Sequence, residues 1–360
     1  MPLVGQHPRW IVGRFASTLM THNTKRILTI GGGTGQFALL SGLRDLQHID
    51  ISAVVSMADS GGSTGRLRDE LGILPPGDAL KCILALSPHR ETARHLLLKR
   101  FTRNSRLRGH NAGNMLLTVL SWYAGNFPAG IQALAEILEV KGAILPVTTD
   151  RVTLVAELTD GSRIYGEQAI DVPRGNQREK IRDVFLVPHD SADISVYPPV
   201  IEAIESADAI VIGPGDLFTS ILPNLIVPGV REALCEASAR MCCVINLMTK
   251  YGETHHFKAR DFAVRLEETI GRPFDCFIYN NRIPASEILA PYKEQQADIV
   301  SIDTTNGWWK GRTVYATDLL DTTGGIVRHD SKTLANLIGE IVCGKHPSER
   351  KSDTGDNRVA

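Results

Sequence analysis

Hydrophobic positions along the chain switch between two spacings. Lys25 to Ile30 (KRILTI) is a short β-rich run that stops at GGGTGQ, Gly31 to Gln36. Beyond it, Leu39, Leu40, Leu43 and Leu46 recur at helical spacing, so the chain opens as strand, Gly-rich turn, helix. The unit recurs: Ile51 to Met57 reads as a second strand, followed by DSGGSTGR, Asp59 to Arg66. LGILPPGD (Leu71 to Asp78) is a Pro/Gly turn that starts a helix near Ala79, GHNAGN (Gly109 to Asn114) leads into a helix over Met115 to Tyr123, and Ile131 to Leu138 is another. Residues 144 to 170 alternate in the manner of strands, with Asp160-Gly161 as a hairpin signal, which predicts an antiparallel addition. Residues 171 to 195 are charged and irregular and read as a surface insertion. The α/β pattern returns with strands at Ala207 to Ile212, Met241 to Leu247 and Phe274 to Tyr279, and with a helix over Val230 to Ala239.

Strands alternating with helices predict an α/β fold: a Rossmann-like, doubly wound, mainly parallel sheet with helices on both faces and a small antiparallel β addition. The expected organisation is an N-terminal extension (1–24, poorly ordered), one α/β domain (25–343) and a disordered tail (344–360). Arg9 and Arg14 precede the first acidic residue, Asp45, a bias shared with organellar transit peptides, but a plain extension is the expectation.

Composition narrows the partners. Thirty-nine Lys and Arg against 40 Asp and Glu leave a net charge of −1, which gives no sign of a nucleic-acid partner. No apolar run approaches the roughly 20 residues of a membrane span. The 6 Cys form no CxxC pair and read as buried, reduced residues of a cytoplasmic protein.

The candidate chemistry is positional. Five predicted strands end in small or polar residues, and in an open α/β sheet those carboxyl ends share one ligand-binding edge. The first loop offers Gly31, Gly32, Gly33, Thr34 and Gly35; the second offers Ser60, Gly61, Gly62 and Ser63; GPGD offers Gly213, Pro214, Gly215 and Asp216. Glycines bring backbone N–H groups close to phosphate oxygens, and helix N-termini add a favourable dipole. A single such loop is as easily a tight turn with no ligand; several on one edge point to a phosphate-bearing ligand. Arg66 follows as a phosphate partner. Asp59 and Asp78 could hold Mg²⁺ beside a diphosphate, although Asp78 reads equally as a helix N-cap. His110, with Asn111 and Asn114, could meet phosphate or act as a general acid, or make a loop hydrogen bond. A P-loop is absent. Gly33, Gly35 and Ala38 fit a dinucleotide fingerprint, but the acid expected after the second strand is missing. Ser63 in GGSTG fits GxSxG only formally, since it lies several residues past its strand. Trp308 and Trp309 read as core.

These segments together (ILTIGGGTGQFALLSGL, VVSMADSGGSTGRLRDELGILPPGD, GHNAGN, GPGDLFTSILPNLIVPGV, NLMTKYGET and YNN) closely resemble the YvcK-like family of gluconeogenesis factors, within the superfamily of the CofD-like 2-phospho-L-lactate transferases. The likeness runs from about Lys25 to Cys343. It implies a Rossmann-like fold, a cytoplasmic location, binding of UDP-sugars such as UDP-N-acetylglucosamine, and a role in cell shape and gluconeogenic growth, with no settled reaction. In the transferase branch an acid in each of two loops holds a divalent metal, at positions matching Asp59 and Asp78. The nucleotide would lie along Gly31 to Gly35 and the GPGD loop, with Asn246, Thr249 and Asn280 at the other strand ends. Two departures stand out: Ser60 replaces a second acid, and the family's GDIRN reads Gly77-Asp78-Ala79-Leu80-Lys81, with Lys81 supplying a charge one position beyond the lost arginine. A UDP-sugar-binding regulator is the first expectation, a Mg²⁺-dependent 2-phospho-L-lactate transferase-like enzyme the second, and an NAD(P)-binding oxidoreductase the third. Homo-oligomerisation is left open.

Overall fold

A computed structural model of the protein describes residues 24–102, 107–172, 178–190, 193–303 and 305–344. The expectations for the extension and the tail lie almost wholly outside these residues. The sequence runs β1 (Lys25–Gly31), α1 (Gly33–Leu43), β2 (Ile49–Val55), α2 (Gly62–Leu71), α3 (Gly77–Leu86), α4 (Arg90–Leu97), α5 (Ala112–Ala124), α6 (Phe127–Ile137) and β3 (Ala143–Pro146). It continues through β4 (Val152–Leu158), β5 (Arg163–Tyr165), α7 (Glu167–Asp171) and β6 (Ile181–Pro188). The second half supplies β7 (Ala209–Ile212), β8 (Arg240–Val244), β9 (Cys276–Asn280), β10 (Val314–Thr317), and the short pair β11 (Leu320–Asp321) and β12 (Arg328–His329).

Seven strands form one sheet in the order β10-β9-β8-β7-β1-β2-β3, with every neighbouring pair parallel. The two-residue period of a strand feeds both faces. On β1, Leu28 and Ile30 join the core shared with β4, β6 and the helices Pro198–Ser206 and Ala259–Ile270. Ile27 points to the opposite core, filled by α1, α3, α6 and the helix Ser331–Val342. The expected doubly wound architecture is therefore present, with helices on both faces. The chain builds β1, β2 and β3 outward in one direction, then returns to β7 on the other side of β1. The order reverses between β1 and β7, which places a topological switch point at their carboxyl ends.

Two segments differ from the sequence expectation. Ala143–Pro146 is the parallel edge strand of the main sheet, pairing Val54 with Leu145, and not part of the antiparallel addition. Residues 181–188, expected within an irregular insertion, form β6, which pairs along β4 from Val152↔Pro188 to Leu158↔Ile181. Ile181 and Val184 are buried in the core beneath it. Arg182 and Asp183 between them hide the alternation, because their side chains pair outward with Glu157 and Arg265. The antiparallel sheet is thus β5-β4-β6. Trp309 is buried against Phe277, as expected for core. All six Cys are free; Cys235 and Cys343 are exposed, contrary to the expectation that all are buried.

Candidate functional site

The first Gly-rich loop and the GPGD loop touch at the switch point. A Cβ on Gly35 would stand 2.5 Å from the Pro214 carbonyl oxygen, so only glycine lets α1 start that close to the other loop. Gly33 has φ +63°, a left-handed conformation that turns the chain from β1 into α1. Neither α1 nor α2 has a side-chain cap, so the first amides of both helices carry no intrahelical or capping partner. Both N-termini open onto one cavity of 620 Å³.

That cavity brings together Gly33, Thr34, Asp59, Gly61, Gly62, Ser63, Asp78, Lys81, Asn111, Asn114 and Asp216 of the expected set. A second, smaller slot of 160 Å³ lies across Gly33 and Thr34, lined by Gly32, Gly35, Pro214, Gly215, Asp216 and Asn246. Gly31, Ser60, Arg66, His110, Gly213, Thr249 and Asn280 line neither. Each has another task. Gly31 closes β1, its carbonyl accepting from Asn224 Nδ2 at 3.3 Å, and Gly213 N donates to the Ile30 carbonyl at 3.0 Å. Arg66 donates to the Arg108 carbonyl at 2.7 Å. Thr249 Oγ1 accepts from the Asp298 amide at 2.8 Å, and Asn280 Oδ1 from the Leu319 amide at 3.0 Å. Arg100 is the guanidinium-bearing side chain that reaches the cavity instead of Arg66.

The acids set the electrostatics. Asp78 is the second residue of α3 and not its N-cap, which is Pro76. A Cβ on Gly32 would come within 2.6 Å of Asp78 Oδ2, and one on Gly77 within 2.7 Å of Asp59 Oδ2. Both carboxylates therefore overhang bare backbone. Asp59 Oδ1 accepts from the Gly61 amide at 2.8 Å. Burial, then the charge of Asp78, raises the Asp59 pKa. Lys81 Nζ sits 2.8 Å from Asp78 Oδ1, and that carboxylate raises the lysine pKa. The cationic departure in the sequence therefore lies directly on the acid.

The roof was not expected. It comes from α7: the Gln168 amide donates to Ser60 Oγ at 3.1 Å, and Glu167 Oε2 accepts from the Ser60 amide at 3.5 Å. Burial, then Asp59, pushes the Glu167 carboxyl up to about 8. Asp171 at the end of α7 pairs with Lys250, which also holds Asp216 at 2.9 Å and Glu253 at 3.1 Å. Asp171, Asp216 and Glu253 have metal-ligand proximity, and the Lys250 ammonium lies among them. The lysine ties the roof to the GPGD loop.

Behind the second loop, Ser63 Oγ lies 3.0 Å from His110 Nδ1 and accepts from Asn114 Nδ2 at 3.3 Å. Ser63 stands in the first turn of α2, not in a loop. His110 is buried, and burial followed by Arg66 lowers its pKa. Asn111 caps α5 by accepting from the Asn114 amide at 2.7 Å.

Glycine turns, uncapped helix N-termini and carboxylates thus converge at the carboxyl edge of a doubly wound sheet, beside its switch point. Comparison with known proteins gives the particular family. Residues 27–320 match the family described as 2-phospho-L-lactate transferase CofD. The chain is 37% identical over 318 residues to the gluconeogenesis factor of Bacillus subtilis, covering 88% of this chain and 98% of that protein. It is 38% identical over 281 residues to the gluconeogenesis factor of Halalkalibacterium halodurans, covering 78% and 84%. A crystal structure of a Bacillus halodurans protein superposes with a TM-score of 0.82 at 34% identity, covering 88% of this chain and 100% of that one. This chain belongs to the gluconeogenesis-factor (YvcK-like) branch of the CofD family. Among the described residues, no helix is long and apolar enough to cross a membrane.

Proposed function

We propose that the protein binds a nucleoside diphosphate sugar, of the UDP-N-acetylglucosamine type, and works as a cytoplasmic regulator of cell shape and gluconeogenic growth. The observation that carries this reading is the meeting of two uncapped helix N-termini, α1 and α2, in one 620 Å³ cavity. Two such termini match two phosphates. The volume falls within the roughly 300–1,000 Å³ of sites for drug-sized ligands. The relatives named gluconeogenesis factors support the link to gluconeogenic growth.

A second reading, a Mg²⁺-dependent transferase of the 2-phospho-L-lactate type, is favoured by the Asp59 and Asp78 carboxylates over Gly77 and Gly32. Their hard oxygen donors suit Mg²⁺, which takes one or two carboxylates plus phosphate oxygens. Asp59 and Asp78 would hold the ion, and Lys81 would be displaced from Asp78 toward a phosphate. When bound, Mg²⁺ would neutralise charge on the diphosphate. The remaining groups bind and orient: the α1 and α2 amides take phosphate oxygens, and α7 excludes water.

Isothermal titration with UDP-N-acetylglucosamine, with and without Mg²⁺, using GDP and NAD as comparison ligands, tests the two. Selective UDP-sugar binding without metal supports the regulator. No UDP-sugar binding, with Mg²⁺-dependent GDP binding in its place, overturns it in favour of the transferase.

A further inference from the structure

Ser63 carries a hydroxyl whose direction the phosphate reading leaves open. It is the second residue of α2, among amides with no intrahelical partner, and it lines the 620 Å³ cavity while being only 2% exposed. A hydroxyl has one hydrogen and two lone pairs. Asn114 Nδ2 donates to Ser63 Oγ at 3.3 Å and so occupies one lone pair. The same amide group reaches Thr64 Oγ1 at 3.4 Å, and the Thr64 hydroxyl gives its hydrogen to Asp59. Thr64 Oγ1 therefore accepts from Asn114, which turns the amide NH₂ toward both hydroxyls.

The other neighbour of Ser63 Oγ is His110 Nδ1, at 3.0 Å. An imidazole nitrogen accepts when bare and donates when it carries hydrogen. With Nδ1 bare, the Ser63 hydrogen points at the ring and away from the cavity. With hydrogen on Nδ1, both lone pairs of Oγ are taken, and the hydroxyl hydrogen must turn toward the cavity. The charged groups that face the ring are Arg66 and Glu70 of α2 and Arg100. Burial, then Arg66, holds the ring below its ordinary pKa of 6.5, so at pH 7.5 one of its two nitrogens is bare. Which one is bare follows the cavity's contents. Without an anion, the buried Ser63 hydrogen is best paired with a bare Nδ1, since an unpaired donor is costly. With an anion, a charge-assisted bond to a phosphate oxygen is the stronger choice.

We propose that His110 is a positioning residue for the diphosphate: Nδ1 accepts the Ser63 hydrogen in the free protein and donates to Ser63 Oγ in the complex, which turns the hydroxyl onto a phosphate oxygen. The proposal rests on the reading that a nucleoside diphosphate fills the cavity. The ring exchanges its one hydrogen between Nε2 and Nδ1 through water, so its charge is the same before and after. Ser63 has a partner for its hydrogen in both states.

The test is ¹⁵N NMR of the histidine-labelled full chain at pH 7.5, free and with UDP-N-acetylglucosamine, because the resonance of a ring nitrogen shows whether it carries hydrogen. The His110 signals are those missing from His110→Gln; where that variant does not fold, backbone assignment identifies them. Nδ1 should be bare in the free protein and hydrogen-bearing in the complex, and Ser63→Ala should lose that change. By calorimetry, Ser63→Ala should bind the UDP-sugar about 10- to 100-fold more weakly than the parent, the loss of one hydrogen bond to a charged group. An Nδ1 that is the same free and bound, a change that persists in Ser63→Ala, or equal affinity of Ser63→Ala and the parent overturns the proposal and leaves the phosphate reading intact. Failure of the parent to bind any nucleoside diphosphate overturns both.

Discussion

Glu167→Gln should stabilise the ligand-free protein at alkaline pH. The carboxyl is pushed from its ordinary 4.5 up to about 8, first by burial and then by Asp59. A carboxyl with a raised folded-state pKa binds a proton that the unfolded chain has already released. Between pH 4.5 and 8 stability therefore falls as pH rises, and above 8 the full penalty is present. At about 1.36 kcal/mol per pKa unit the ceiling is roughly 4–5 kcal/mol. Glu167 is only partly buried, and solvent screening reduces this to about 1–3 kcal/mol. Glutamine keeps an oxygen for the Ser60 amide and carries no charge. At 360 residues each kcal/mol moves Tm by only about 1.3 °C, so the variant should melt roughly 1–4 °C above the parent at pH 9. Near pH 5 the two should melt together. Thermal unfolding at both pH values, with chelator and no ligand, is the assay. A difference that is the same at pH 5 and pH 9, or a variant less stable than the parent at pH 9, would refute the reasoning.

Other perturbations test other contacts. Lys250→Met leaves Asp171, Asp216 and Glu253 facing one another and should cost about 2–4 kcal/mol in urea unfolding at pH 8.5. The loss should shrink at pH 5, where Glu253, pushed up to about 8 by burial and Asp216, is protonated. Gly35→Ala drives a Cβ to 2.5 Å from the Pro214 oxygen, and the overpacking of about 1–3 kcal/mol should outweigh the roughly 1 kcal/mol that alanine gains in a helix. Urea unfolding shows the sign. If Asp78 helps hold Mg²⁺, Asp78→Asn should remove any Mg²⁺ dependence of UDP-sugar affinity; a dependence that survives places the ion elsewhere.

The two Gly-rich turns were legible because each lies between a two-residue and a 3.6-residue period, where backbone rules act locally. The meeting of the first turn with GPGD followed from strand order, a general property of open parallel sheets. Long-range partners were not legible. Glu167 meets Ser60 across 107 residues, carried there by a sheet whose third strand was masked by outward-facing charges. β12 is a two-residue strand, too short to leave a period. Arg66 shows the converse error: a guanidinium one turn from a glycine loop reads as a phosphate partner, but a nearer carbonyl claims it. Ser63 and His110 were each noticed, and only the fold showed that they pair.

A crystal structure of the complex with UDP-N-acetylglucosamine tests the central claim most directly. The account predicts the diphosphate over the first amides of α1 and α2, between Thr34 and Ser63. A ligand bound away from the Gly33–Thr34 turn, such as in the separate 930 Å³ cavity beside Trp122 and Tyr197, would contradict it.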